Sequence, residues 1–248
     1  MYIDNKLLIG KSEERDLVIL PKRLNRHGLI TGATGTGKTV TAKVLIESLS
    51  SAGIPSFIAD VKGDLAGTCM MGVENENVTK RVESLKLDGF QYSSFPVQFW
   101  DLYHEGGLKV RVKVGSIEPD ILSMMLGLNE AQEGVLTIIY KISEDLGYEL
   151  VDLKDLNQMI IYIGEHKNDF INTYGNITSA SLGVIQRCLL TLERQGADKF
   201  FGEPELNIND FISANSDGKG MINILHSVKL FESPDLYASF LLWLMTEL

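Results

Sequence analysis

Cysteine is almost absent from this sequence of 248 residues. Cys69 and Cys188 stand far apart and belong to no C-x-x-C pair, which excludes a disulfide framework and a cysteine-based zinc site and fits a reducing, cytoplasmic setting. Long apolar runs are missing too. None approaches the roughly 20 residues needed to cross a bilayer, and Met1 to Lys6 lacks the layout of a signal peptide, so a soluble, unprocessed chain with no membrane partner is expected. Positive charge is scarce: 23 Lys and Arg stand against 33 Asp and Glu, a formal net charge of −10. That excludes a general nucleic-acid-coating surface. Residues 1–60 nevertheless hold eight basic against six acidic side chains, so any contact with DNA has to be local or made with other parts.

What remains is a globular balance, 44% hydrophobic and 23% charged, at a length that suits one α/β domain with an insertion. The chain is organised around His27-Gly28-Leu29-Ile30-Thr31-Gly32-Ala33-Thr34-Gly35-Thr36-Gly37-Lys38-Thr39. Residues Gly32 to Thr39 satisfy the phosphate-loop (Walker A) pattern G-x-x-x-x-G-K-[ST], between a short apolar run and an amphipathic one. Gly32, Gly35 and Gly37 let successive N–H groups turn inward around an anion, with Ala33, Thr34, Thr36 and Val40 adding main chain around it. A helix starting near Lys38 aims its positive end at the same point. The pattern assigns Lys38 to the β and γ phosphates of a bound ATP, and the Thr39 hydroxyl to the Mg²⁺ that bridges them.

Ahead of the loop, Leu7-Leu8-Ile9 and Leu17-Val18-Ile19-Leu20 flank a charged turn, Lys11 to Asp16, and predict a β-hairpin. The basic stretch from Lys22 to His27 then leads into a first core strand. Behind the loop, Val40, Val44, Leu45 and Leu49 predict a helix packed on a sheet, closed by Gly53 and Pro55. Ser56-Phe57-Ile58-Ala59-Asp60 reads as a buried-type strand. Ligands of parallel sheets bind beyond the carboxyl ends of strands, which brings Asp60 and Lys62 to the edge of Lys38 as candidate nucleotide contacts. Capping of a loop and solvation are their alternative roles.

Val78, Val82 and Leu85 mark a short helix, and residues 96–101 a strand. Lys109 to Val114 alternates cations with valines, as an edge strand does. From Glu118 to Gln195 the period is helical: Pro119 suits a first turn, Asn129 with Gln132 a capping box, Asp152 an N-cap, and a further helix starts near Ser179. Met124, Met125 and Met159 read as core filling. Residues 197–216 look irregular, anchored by Phe200-Phe201 and Phe211-Ile212. Met221 to Leu225 is a returning strand, and an apolar helix from Pro234 runs to Leu248 with no polar tail, as a chain cut short would.

The fold class is therefore α/β, a three-layer P-loop NTPase sheet with an inserted helical subdomain. Residues 1–24 are read as a hairpin and connection, 25–116 as the first part of the core, 117–216 as the helical insertion, and 217–248 as the core's return, ending before a strand that would carry Asp-Glu. Hydrolysis needs an acid at the end of an apolar strand, and Phe57-Ile58-Ala59-Asp60 is a weak version of it. Two readings stand. Either the acid lies beyond Leu248, or Asp60-Val61-Lys62-Gly63 is the D-x-x-G of a GTPase with His166-Lys167-Asn168-Asp169 as a degraded guanine reader.

Asn25 to Thr41 and Ala59-Asp60-Val61-Lys62-Gly63-Asp64-Leu65 resemble the YjgR-type family of bacterial HerA-like ATPases. The resemblance runs on through Tyr174-Gly175-Asn176-Ile177, Ile185-Gln186-Arg187, Leu190-Thr191-Leu192-Glu193, Phe200-Phe201-Gly202-Glu203-Pro204 and Gly220 to Leu225. It implies a helicase-like ATPase of the HerA and FtsK branch, whose Asp-Glu strand follows the point where this sequence stops. It also implies a homo-hexamer and DNA as a substrate for translocation; for Gln186 and Arg187 a subunit contact stands beside the favoured plain role on the exposed face of a helix whose buried side is Ile185 and Leu189. A nucleotide-controlled interaction or assembly module without motor activity is the competing class.

Overall fold

The computed structural model describes residues 1–12 and 15–247. Glu13 and Glu14, in the expected hairpin turn, and Leu248 lie outside the described residues. The strands are β1 (Tyr2–Ile3), β2 (Lys6–Lys11), β3 (Asp16–Ile19), β4 (Ser56–Asp60), β5 (Val97–Asp101), β6 (Leu108–Lys109) and β7 (Ile222–His226). The helices are α1 (Lys38–Ser51), α2 (Glu76–Ser84), α3 (Pro119–Leu126), α4 (Glu130–Leu146), α5 (Leu153–Glu165), α6 (Lys167–Tyr174), α7 (Ser179–Leu192), the single turn α8 (Asp198–Phe200) and α9 (Pro234–Glu247). They build two sheets, β1-β2-β3 and β4-β7-β5-β6.

Two compact units form, Met1–Trp100 with Asn209–Leu225, and Asp101–Ile208 with His226–Leu248. In the first, β1 to β3 pair antiparallel, with Leu8 opposite Val18. Leu7 and Leu8 are buried where α1 packs on β2. β5 and β7 pair in parallel from Val97 opposite Ile222 to Trp100 opposite Leu225. Their core gathers Ile46, Leu65, Ile222 and Ile224, with Ile58, Phe95, Val97 and Phe99 packed around it. Each such aliphatic side chain taken fully out of water contributes about 1.5–3 kcal/mol. A polar tie runs through this core. The buried Asn223 accepts from Trp100 Nε1 at 2.9 Å and donates to Ser56 O at 3.2 Å and Phe211 O at 2.9 Å.

The second unit is a helical pack. Three of its helices start where capping side chains meet free N–H groups: Asn129 and Gln132 close a reciprocal box on α4, Asp152 caps α5, and Thr178 caps α7. A cap of this kind contributes about 1 kcal/mol. Leu136, Ile139, Ile142, Leu156, Ile160 and Ile163 are fully buried along α4 and α5. Phe200 meets Phe240 and Trp243 edge-on, at centroid distances of 5.6 and 5.5 Å, which binds α9 into this unit.

Several sequence expectations change. The apolar run before the phosphate loop forms no strand: Leu29 is 88% and Ile30 44% exposed, because no strand among the described residues flanks it. β4 is half-buried, since it is the outermost strand of its sheet. On α1 the buried positions are Ile46, Ser48 and Ser50, while Val40 is exposed. That happens because β2 as well as β4 packs against the helix. The valines at 110, 112 and 114 are buried as the alternation requires, but only Leu108–Lys109 is strand. Beyond it, Val112 N donates to Phe200 O and Gly202 N to Val112 O, so the segment is a strap on the 200–206 turn. Met125 and Met159 fill the core, whereas Met124 and Ile212 are exposed. Helix α6, within the stretch read as helical, has Phe170 as its one buried residue and so carries little apolar period.

Candidate functional site

The segment Gly28 to Thr36 is exposed, and α1 opens directly behind it at Lys38. Gly37 makes that entry possible, with φ 96° and ψ 17°, a left-handed conformation that costs a residue with a Cβ about 1–2 kcal/mol. The first turn of a helix leaves N–H groups without intrahelical partners, and the helix dipole places partial positive charge there. The loop is folded on itself. Lys38 Nζ donates to Gly32 O at 2.7 Å and to Ala33 O at 2.9 Å, and Thr36 Oγ1 donates to Ala33 O at 2.8 Å. A Cβ at Gly32 would stand 2.4 Å from Thr36 Oγ1, so a larger residue there displaces the Thr36 hydroxyl from its bond to Ala33 O. The Thr39 hydroxyl is half-buried in the first turn and has no hydrogen bond among the described residues. Such a site can wrap an oxyanion with main-chain N–H groups and offer an ammonium and a hydroxyl at its rim.

Asp60 ends β4 and is buried. Its Oδ1 accepts from the N–H groups of Lys62 (3.2 Å), Gly63 (2.8 Å) and Asp64 (3.3 Å), and its Oδ2 from Leu65 N (3.0 Å). The carboxylate thus braces the following loop. Lys62 stands exposed on that loop. Lys43, five residues into α1 from Lys38, donates to Asp64 O at 2.5 Å and ties the braced loop to the phosphate-loop helix. Sequence reasoning missed Lys43, and nothing in an isolated lysine on a helix would have revealed it.

The remaining candidates lie in the second unit. Gln186 Nε2 donates to Asn157 Oδ1 at 3.1 Å, which holds α7 to α5, and Arg187 is exposed. His166 sits between α5 and α6 with Nδ1 2.9 Å from Tyr162 O and its ring 4.5 Å from the Tyr162 ring. Its ring is thereby committed to the joint of two helices. Cavities of about 510 and 410 Å³ lie in this unit, and no residue of the phosphate loop lines either. Among the described residues no group of three or more His, Cys, Asp or Glu is placed to hold a metal.

Residues 5–248 match the family described as Helicase HerA-like C-terminal. The chain belongs to that family. No curated protein matches this HerA-like sequence. Among solved structures, VirB4 of Thermoanaerobacter pseudethanolicus is similar, with a TM-score of 0.52 at 15% identity over 100% of this chain and 64% of that one. At such identity the likeness is one of fold, and the HerA-like chain has the P-loop NTPase fold. It spans 64% of the length of the VirB4 chain. No helix of the described residues is long and apolar enough to cross a membrane.

Proposed function

We propose that this HerA-like chain binds Mg·ATP at Gly32–Thr39 and is the nucleotide-holding part of an ATPase. The observation that carries the proposal is the entry of α1: an exposed glycine loop delivers Lys38 and Thr39 onto an open helix N-terminus behind left-handed Gly37. Main-chain N–H groups from Ala33 to Val40 cradle the phosphates. Lys38 exchanges its two carbonyl partners for β and γ oxygens, and Lys62 is a further contact from the loop that Asp60 braces. A divalent cation, when bound, offsets phosphate charge. The Thr39 hydroxyl would hold it jointly with the phosphates.

Hydrolysis requires a carboxylate that orients water, and the one at Asp60 is engaged by four N–H groups. We therefore assign the hydrolytic acids to residues outside these 248, and translocation of DNA by a ring of six such chains to the longer protein. The second reading, a nucleotide-controlled assembly module, draws on the same engaged carboxylate. Turnover separates the two. A longer protein that hydrolyses ATP, with the activity abolished by Lys38→Ala and raised by DNA in a steeply salt-dependent way, supports the motor. Robust hydrolysis by residues 1–248 alone would contradict the placement of the acids.

A further inference from the structure

The cavities of about 510 and 410 Å³ in the helical unit differ in the state of their polar groups. The charged side chains of the larger are spent on the chain itself. Lys113 pairs with Glu149 at 2.6 Å and Glu203 at 3.0 Å, Lys141 pairs with Glu144 and Asp145 at 2.9 Å each, and Tyr140 Oη donates to Val114 O at 2.8 Å. The smaller lies between α3, α7 and α9 and has the size of a site for a small organic molecule. Met124, Met125 and Leu192 give it apolar walls, and Cys188, Gln195 and Asp235 line it too.

Gln195 stands apart from the rest of this lining. Helix α7 runs on into a wide turn of π type, Glu193–Ala197, kinked at Gly196 with φ 93°. Turns of this type are frequent at functional sites. Tyr103 holds this one: its Oη donates to Gln195 O at 3.3 Å, and a Cβ on Gly196 would come within 2.7 Å of its Cε1. The turn fixes the main chain of Gln195 beside the cavity, while Gln195 Oε1 is buried without a hydrogen-bond partner. A buried acceptor with no donor destabilises the chain that carries it. Asp235 is exposed in the first turn of α9, where its charge suits the helix dipole, and it pairs with no cation among the described residues. An amide oxygen and a carboxylate, both acceptors, thus stand unspent on an apolar lining whose methionine thioethers favour contact with aromatic rings.

We propose that this cavity binds a small organic ammonium compound with an aromatic body. The ring lies against Met124, Met125 and Leu192, and the ammonium group donates to Gln195 Oε1 with Asp235 as its counter-charge. An anion of the same shape is repelled by Asp235.

Phenethylamine titrated into the 248-residue chain tests this, against phenylpropionate as an anion of like shape. The methyl resonances of Met124 and Met125 are followed by NMR, and the rate of Cys188 alkylation is measured in a Cys69→Ser background. Millimolar phenethylamine is expected to shift both methyl signals saturably and to slow the alkylation severalfold, and phenylpropionate at equal concentration to do neither. Gln195→Met is expected to weaken binding about tenfold, and Asp235→Asn about threefold. Because Gln195→Met also removes the unpaired acceptor, it is expected to raise the Tm of the free chain by about 2–4 °C, a gain that a purely structural glutamine would not give. The exposed Asp235 variant keeps the test open if the Gln195 variant fails to fold. Methyl signals unmoved by tens of millimolar phenethylamine, an equal response to phenylpropionate, or an affinity unchanged in the Asp235 variant would overturn the site.

Discussion

Two strands of the same sheet, β4 and β5, end on a buried aspartate that gathers the N–H groups of the loop behind it, yet the two loops place different residues three positions after the acid. Asp60 holds Lys62 to Leu65 and puts Gly63, φ 71°, in the left-handed slot. Asp101 holds Tyr103, Glu105 and Gly106 and puts His104, φ 63°, in that slot. An acid at a strand end is therefore not by itself a catalytic group. Here it is a backbone acceptor that fixes a loop, and the loops present different groups: an exposed lysine after β4, a histidine in a left-handed conformation after β5.

The largest effect on this comparison comes from removing the braces. Asp60→Ala or Asp101→Ala leaves three or four N–H groups in each loop without their acceptor and is expected to cost about 3 kcal/mol in denaturant unfolding. Losses under about 1 kcal/mol would mean that water replaces the carboxylates. The left-handed slots come next. Gly63→Ala is expected to destabilise by about 1–2 kcal/mol, and His104→Gly to stabilise by up to about 1 kcal/mol. Opposite signs at equivalent positions, read by calorimetry, would establish that the histidine is kept against a backbone cost.

A pH effect follows from the same residue. The folded state holds the His104 pKa below its ordinary 6.5, so its contribution to stability is present above that value and is lost as pH falls through the folded pKa. His104→Asn, which tolerates the left-handed backbone, is expected to flatten the decline in stability between pH 6.5 and the acid limb. Smallest is the tie between α1 and the first braced loop. Lys43→Met should change stability by less than about 0.5 kcal/mol. It should nevertheless speed amide exchange at residues 61–65, because Asp64 O loses the lysine that anchors it.

Local chemistry made much of this fold legible. Asn129 with Gln132, Asp152 and Pro119 mark helix starts that the structure contains, and Ser56 to Asp60 is strand over its full length. What failed was decided by neighbours distant in sequence. Leu29 and Ile30 have strand composition, but among the described residues neither belongs to a sheet, and both are exposed. Val110 to Val114 alternates like a strand, but the 200–206 turn takes its hydrogen bonds. The phosphate loop could be read because its function is written in contiguous residues. The Asp101 brace has a fainter trace, Phe99-Trp100-Asp101, an apolar run ending on an acid like the one at Asp60.

Equilibrium binding of Mg·ATP to residues 1–248 and to the Lys38→Ala variant, by calorimetry and with turnover followed in the same samples, tests the central claim most directly. Stoichiometric binding by the first, at least tenfold weaker binding by the second, and no hydrolysis by either is the expected result. Equal affinity in the two proteins would contradict nucleotide binding at Gly32–Thr39.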